Sequence, residues 1–153
     1  MHDRCVSVER FIPVPPAVVF AVLADPSRHS VIDGSGSVRG VRRAPRRLEL
    51  GSRFGMSMKL GLPYRIRNRV VEFEEGRRIA WCHPGGHRWR YELVPHDGGT
   101  RVIESFDWST ARSPAAIEAS GFPERNRAAM KKTLERLDGL VSGRRLEARP
   151  HER

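Results

Sequence analysis

Between residues 50 and 108 apolar and polar residues alternate, run after run. Phe54, Met56, Met58 and Leu60 fall on one parity, as do Trp89, Tyr91 and Leu93, and then Val102, Glu104, Phe106 and Trp108. A period of two marks β-strands with one buried face. The pattern predicts strands near residues 4–12, 37–43, 51–60, 64–73, 77–83, 87–95 and 100–108. Glycine, proline or acidic residues supply the connections, as at Gly61-Leu62-Pro63, Glu74-Glu75-Gly76, Pro84-Gly85-Gly86 and His96-Asp97-Gly98-Gly99.

Helical signals flank this block. Pro13, Pro15 and Pro16 stop the first strand, because proline has no N–H to give to a ladder. The same prolines start a short helix at 17–24, and Asp25-Pro26 caps a second at 26–31. Ser113-Pro114 opens a helical stretch to 119, and a long helix follows at 123–142. Met130, Leu134, Leu137 and Val141 form its apolar stripe, with Ala129, Thr133 and Leu140 beside it. The expected fold class is α+β: a seven-stranded curved antiparallel sheet around a long C-terminal helix, with two short helices between the first two strands. A single helix held by a large curved sheet leaves an internal hollow. The expected domain is 1–143, followed by a flexible basic tail at 144–153.

Cross-strand matching tests the register. Pairing the sixth and seventh strands so that residue numbers sum to 195 sets Leu93 against Val102, Tyr91 against Glu104, Trp89 against Phe106 and His87 against Trp108, with Arg88 opposite Asp107 on the other face. A sum of 170 for the fifth and sixth sets Trp81 opposite Trp89, Ile79 opposite Tyr91 and Arg78 opposite Glu92. Apolar pairs then share one face and opposite charges the other; a slip of one residue loses both matches. Between the fourth and fifth strands Val70, Val71 and Phe73 compete for the inward position, and the register stays open.

A chain of 153 residues is the size of one domain that buries about two thirds of its unfolded surface. The formal charge of +10 and pI near 11.0 invite a nucleic-acid reading. Yet of the 28 basic residues only Lys59, Lys131 and Lys132 are lysines, a bias that an arginine-rich codon usage also produces. Single-strand binding needs aromatics exposed among the cations, whereas the aromatics here point inward, so nucleic acid is not the expected partner. No apolar run approaches the ~20 residues that span a bilayer, and no apolar signal-peptide core precedes the first strand, so a cytoplasmic location is expected. Cys5 and Cys82 fall on different strands with nothing to pair them. The six histidines lack the spacing of a helical metal site, so neither metal nor cofactor is expected.

Several stretches carry a family resemblance: Pro15-Pro16-Ala17-Val18-Val19-Phe20 with Leu23-Ala24-Asp25-Pro26, Val70-Val71-Glu72-Phe73, Arg77-Arg78-Ile79-Ala80-Trp81 and Gly98-Gly99-Thr100-Arg101-Val102. With the order strand, two short helices, six strands, long helix, they resemble the START-related helix-grip superfamily of lipid-transfer proteins, polyketide cyclases and pollen allergens, and within it the bacterial polyketide cyclase/dehydrase-like (SRPBCC) branch. The likeness runs to about Gly143. It implies a ligand cavity under the helix. The family shares no universal catalytic residue, so the resemblance transfers no catalytic role.

The inward positions supply the candidate chemistry. Phe54, Met56, Met58, Ile66, Trp81, Trp89, Phe106 and Met130 form an apolar wall, with Tyr64, Asn68, His83, Tyr91 and Glu104 as its polar members. Mostly apolar walls with a few polar groups are the usual form of a small-molecule site. An inward carboxylate is costly unless paired or protonated, and the register makes Tyr91 the neighbour of Glu104. Glu104 is therefore the candidate ligand anchor, or the acid/base of a cyclase- or dehydratase-like reaction. Outside, Arg65, Arg67 and Arg69 follow one another on the fourth strand without an evident acid, a candidate contact for an anionic membrane or an acidic protein. Three functions are compatible: a carrier or binder of a hydrophobic small molecule (lipid, polyketide or aromatic metabolite), an enzyme in the same cavity, or an interaction module with a filled interior. A monomer or homodimer is expected.

Overall fold

A computed structural model describes residues 4–143; the expected tail at 144–153 lies outside them. Seven antiparallel strands form one sheet in the order β1-β7-β6-β5-β4-β3-β2: β1 (Cys5–Ile12), β2 (Val38–Arg42), β3 (Arg53–Leu60), β4 (Leu62–Glu74), β5 (Arg78–Cys82), β6 (Arg88–His96) and β7 (Gly99–Asp107). Between the two edge strands run α1 (Pro16–Leu23), one 3-10 turn (Pro26–Arg28) and α2 (His29–Ile32). After the sheet come α3 (Pro114–Ser120) and α4 (Phe122–Val141).

Both sequence-matched registers are present. Tyr91 pairs with Glu104, Trp89 with Phe106 and Leu93 with Val102, while Trp81 pairs with Trp89 and Arg78 with Glu92. The β6–β7 reversal is a two-residue turn. Asp97 and Gly98 both take positive φ (43° and 75°), the geometry whose twist matches antiparallel strands and which Asp-Gly adopts readily.

The open register between β4 and β5 is resolved by a bulge. Val70 pairs with Trp81 but Glu72 with Ala80, so Val71 is the extra residue. Val70 is fully buried, and the extra residue resets the alternation so that Phe73 also turns inward, edge-on to Phe20 at 5.5 Å. Glu72 then points outward. The expected turn at 61–63 also tightens: Leu60 already pairs with Leu62, with Gly61 (φ 72°) reversing the chain. Pro63 is tolerated inside β4 because β5 pairs only with Arg69–Glu74, which leaves the first half of β4 without a neighbour on that side.

One expected ion pair is redistributed. Arg88 stands opposite Asp107 in the ladder, yet its guanidinium bonds Glu72 (3.2 Å), and Arg90 takes both Glu72 (2.7 Å) and Asp107 (3.3 Å). The bulge that turns Glu72 outward brings it within reach of both arginines. Sequence matching between β6 and β7 alone contains no such third strand. Arg78 does pair with Glu92, at 3.3 Å.

The apolar stripe of α4 packs as expected, with Met130, Leu134 and Leu137 buried and Val141 partly so. Buried Asp138 fixes the helix to β1 through Arg10 Nε (2.9 Å), and Arg136 Nε donates to Val31 O (2.9 Å). Within the sheet, α4 packs mainly on β1 and β7. The inner face of β3, β4 and β5 is therefore not sealed by the helix, and a hollow opens there.

Candidate functional site

The hollow is a cavity of about 320 Å³. Its floor is the inner face of the sheet: Met56 and Met58 of β3, Tyr64, Ile66 and Asn68 of β4, Trp81 of β5, Trp89 and Tyr91 of β6, and Glu104 and Phe106 of β7. Met130, Ala129 and Thr133 of α4 line the opposite side, and half-exposed Tyr64 and Phe122 stand at its rim. Twelve of the thirteen residues expected to point inward line this space. The exception is Phe54, which is buried edge-on between His29 (5.5 Å) and Trp81 (5.7 Å) and supports the wall from behind. The third expected function required a filled interior; the chain instead encloses this cavity.

The 32–38 segment closes the cavity beside α4, and one glycine permits it. A Cβ on Gly34 would stand 2.6 Å from Lys132 Cβ and from Thr133 N, so only glycine allows this approach. Gly34 N–H donates to Thr133 Oγ1 (2.9 Å), and the Asp33 carboxylate accepts from Ser35 and from Val38 N–H. Asp33 is thereby held at the cavity wall.

Glu104 is almost wholly buried and accepts the Tyr91 hydroxyl on Oε1 at 2.8 Å. Burial pushes its carboxyl up to about 8, Asp33 adds to the rise, and the Tyr91 hydrogen bond opposes it. At neutral pH the group is then mainly a carboxylic acid, with an O–H to donate. Tyr91 is itself raised well above the usual phenol range by burial and by the neighbouring Glu104.

Histidines complete the polar lining. His29 carries no sequence signal of a site: it is a lone histidine among Pro26, Ser27, Arg28 and Ser30. Its Nε2 donates to Leu23 O at 2.9 Å, and its ring stacks on Trp81 with centroids 4.7 Å apart. Burial lowers its pKa. His83 and His87 lie ring to ring at 4.5 Å; burial, helped by His87, holds His83 down to about 3, and burial lowers His87 too. All three line the cavity as neutral rings at pH 7. No lysine or arginine is among the lining residues.

A family model described as polyketide cyclase / dehydrase and lipid transport matches residues 3–141. The chain belongs to this family. It is 42% identical over 140 residues to the uncharacterized protein Rv0088 of Mycobacterium tuberculosis (strain H37Rv), a match covering 87% of this chain and 62% of that one. The chain thus spans less than two thirds of that relative's length. Among solved structures, protein Ms6760 from Mycobacterium smegmatis superposes with a TM-score of 0.70 at 17% identity, covering 94% of each chain. The AHSA1-like protein from Aeromonas hydrophila does so at 0.63 and 20% identity, covering 96% of this chain and 99% of that one. At such identities the likeness establishes the helix-grip fold. Among the described residues no helix is long and apolar enough to cross a membrane.

Proposed function

We propose that this protein binds a hydrophobic small molecule in the cavity between the sheet and α4. The observation that carries this reading is a space of about 320 Å³ walled by Met56, Met58, Trp81, Trp89, Phe106 and Met130. Cores are ordinarily packed with few voids larger than a water molecule, and a hollow of this size has the dimensions of a ligand site. The family's description, which includes lipid transport, supports the same reading. The test is titration with N-phenyl-1-naphthylamine, a neutral apolar dye that brightens on leaving water. Saturable binding is expected, with Met58→Trp weakening it at least tenfold while the fold is kept, since the larger ring occupies the space. Absence of binding at millimolar dye would overturn the reading.

One observation favours a second, enzymatic reading. A buried carboxyl with a pKa of about 8, bonded to a tyrosine beside an apolar pocket, is suited to passing a proton near neutral pH. Glu104 would then act as acid/base in a cyclase- or dehydratase-like step. Loss of turnover in Glu104→Gln with ligand binding retained would separate this from simple binding. Exposed Arg65, Arg67 and Arg69, for which no acid partner exists among the described residues, favour peripheral contact with an anionic surface. Co-sedimentation with anionic but not zwitterionic vesicles tests that contact.

A further inference from the structure

Buried polar atoms normally find partners. Among the described residues four side-chain atoms do not: Asn68 Oδ1, His87 Nδ1, Glu104 Oε2 and Arg88 Nε. Arg88 belongs to the outer ion-pair cluster. The other three residues all line the one cavity. Three orphans lining one cavity point to polar ligand atoms that meet them there.

The types of group narrow the chemistry. Asn68 is only 2% exposed and offers both a carbonyl acceptor and amide N–H donors. Glu104 Oε2 accepts as a carboxylate and can donate as an acid, and His87 is a neutral ring. The remaining lining is aromatic, aliphatic or thioether, with Ser35, Ser37, Asn126 and Thr133 as further uncharged polar members. Although the chain has 28 lysines and arginines, none lines the cavity, and its two acidic residues there are Asp33 and Glu104. An anion would enter a low-dielectric space with carboxyl groups and no cation to compensate its lost hydration. An ammonium could donate to both oxygens but would accept nothing from the Asn68 amide. A hydroxyl or carboxamide both donates and accepts.

Resting on the ligand-binding reading above, we propose that the cavity selects a neutral apolar molecule bearing a hydroxyl or carboxamide group, seats that group on Asn68, and rejects carboxylates and phosphates. Asn68 is the discriminating residue, because it is buried at the cavity and its Oδ1 has no partner among the described residues, while its amide also carries N–H donors. Glu104, anchored by Tyr91, is a further polar point of the same cavity, open to a second polar group of the ligand.

The experiment is displacement of N-phenyl-1-naphthylamine from the full chain at pH 7 by three compounds of one shape: naphthalene, 2-naphthol and 2-naphthoate. 2-Naphthol is expected to compete at least tenfold better than either of the others. Asn68→Leu, which keeps the volume and removes the amide, should cut the advantage of naphthol over naphthalene to less than about threefold while naphthalene still competes as before. Glu104→Gln, the neutral isostere, should keep the preference for naphthol over naphthoate. Equal competition by naphthalene and naphthol would overturn the polar seat and leave apolar binding standing. Naphthoate competing as well as naphthol would overturn anion rejection. Failure of the dye itself to bind would remove the underlying reading. Should Asn68→Leu not fold, the three-compound series on the unaltered chain decides the matter alone.

Discussion

The two faces of β3 and β4 treat charge in opposite ways. Inside, Met56, Met58, Ile66 and Asn68 look onto a cavity whose charged-type residues are Asp33 and Glu104, with no cation. Outside, Arg53, Lys59, Arg65, Arg67 and Arg69 are exposed, with no acid partner among the described residues. A few strands away the outer face behaves differently: Arg88 and Arg90 are held by Glu72 and Asp107, and Arg78 by Glu92. The unpaired cations are therefore not a uniform consequence of a basic composition. What the contrast teaches is that this sheet separates an interior lined by no cation from an exterior rich in them, and that the backs of β3 and β4 are where the contrast is sharpest.

The strongest way to break the contrast is to place a charge inside. Met130 is 1% exposed, so Met130→Asp should cost about 4 kcal/mol or prevent folding, as an unpaired buried charge does. Chemical denaturation checks this; a loss under about 1 kcal/mol would mean that the interior tolerates charge.

Removing the interior's own latent charge has the next largest effect. Between the unfolded value of 4.5 and the folded value of about 8, native Glu104 holds a proton that the unfolded chain has released. Stability therefore falls as pH rises through that window, by up to ~1.4 kcal/mol per pH unit from this group. Glu104→Gln deletes the slope, so between about pH 4 and pH 8 the stability of the variant relative to the wild type should rise by about 4 kcal/mol. Below about pH 4.5 the wild-type acid is protonated in both states, and the pH-dependent part of the difference should vanish. Paired thermal melts across pH 4–9 measure it, and parallel profiles would show that the carboxyl is not buried as an acid.

On the outer face, Arg90→Ala strips Glu72 and Asp107 of their shared partner. All three side chains are only 16–21% exposed, so a loss of ~1–2 kcal/mol is expected. Arg67→Glu, on the unpaired patch, should change stability by less than about 0.5 kcal/mol. If that patch meets an anionic surface, the same change should weaken vesicle co-sedimentation several-fold, which would sharpen the contrast from charge placement into function. Equal stability losses for Arg90→Ala and Arg67→Glu would erase the distinction between the two outer regions.

Much of the site was legible because it lies on strands. Period-two alternation and the pairing of Tyr91 with Glu104 are enough to put ten cavity residues on one face. Residues from the crossover were not legible in the same way. His29 and Asp33 sit on a four-residue helix and a loop, where no period assigns a face, and they reach the cavity only because Gly34 lets the loop close on α4. Phe54 had the parity of its neighbours but is screened from the cavity by His29 and Trp81.

By itself, then, the sequence determined the strands, their order of pairing from β5 to β7, the apolar stripe of α4 and the inward acid at position 104. These follow from local periodicity and from pairs a few residues apart across tight turns, where a one-residue slip would misplace every side chain. Tertiary structure alone decided the β4 bulge at Val71, the capture of Glu72 by Arg88 and Arg90, the hollow under β3–β5 and the loss of every cation from its walls. Each depends on elements far apart in the chain meeting at one place, and on how much of a curved sheet a single helix, packed against β1 and β7, can cover.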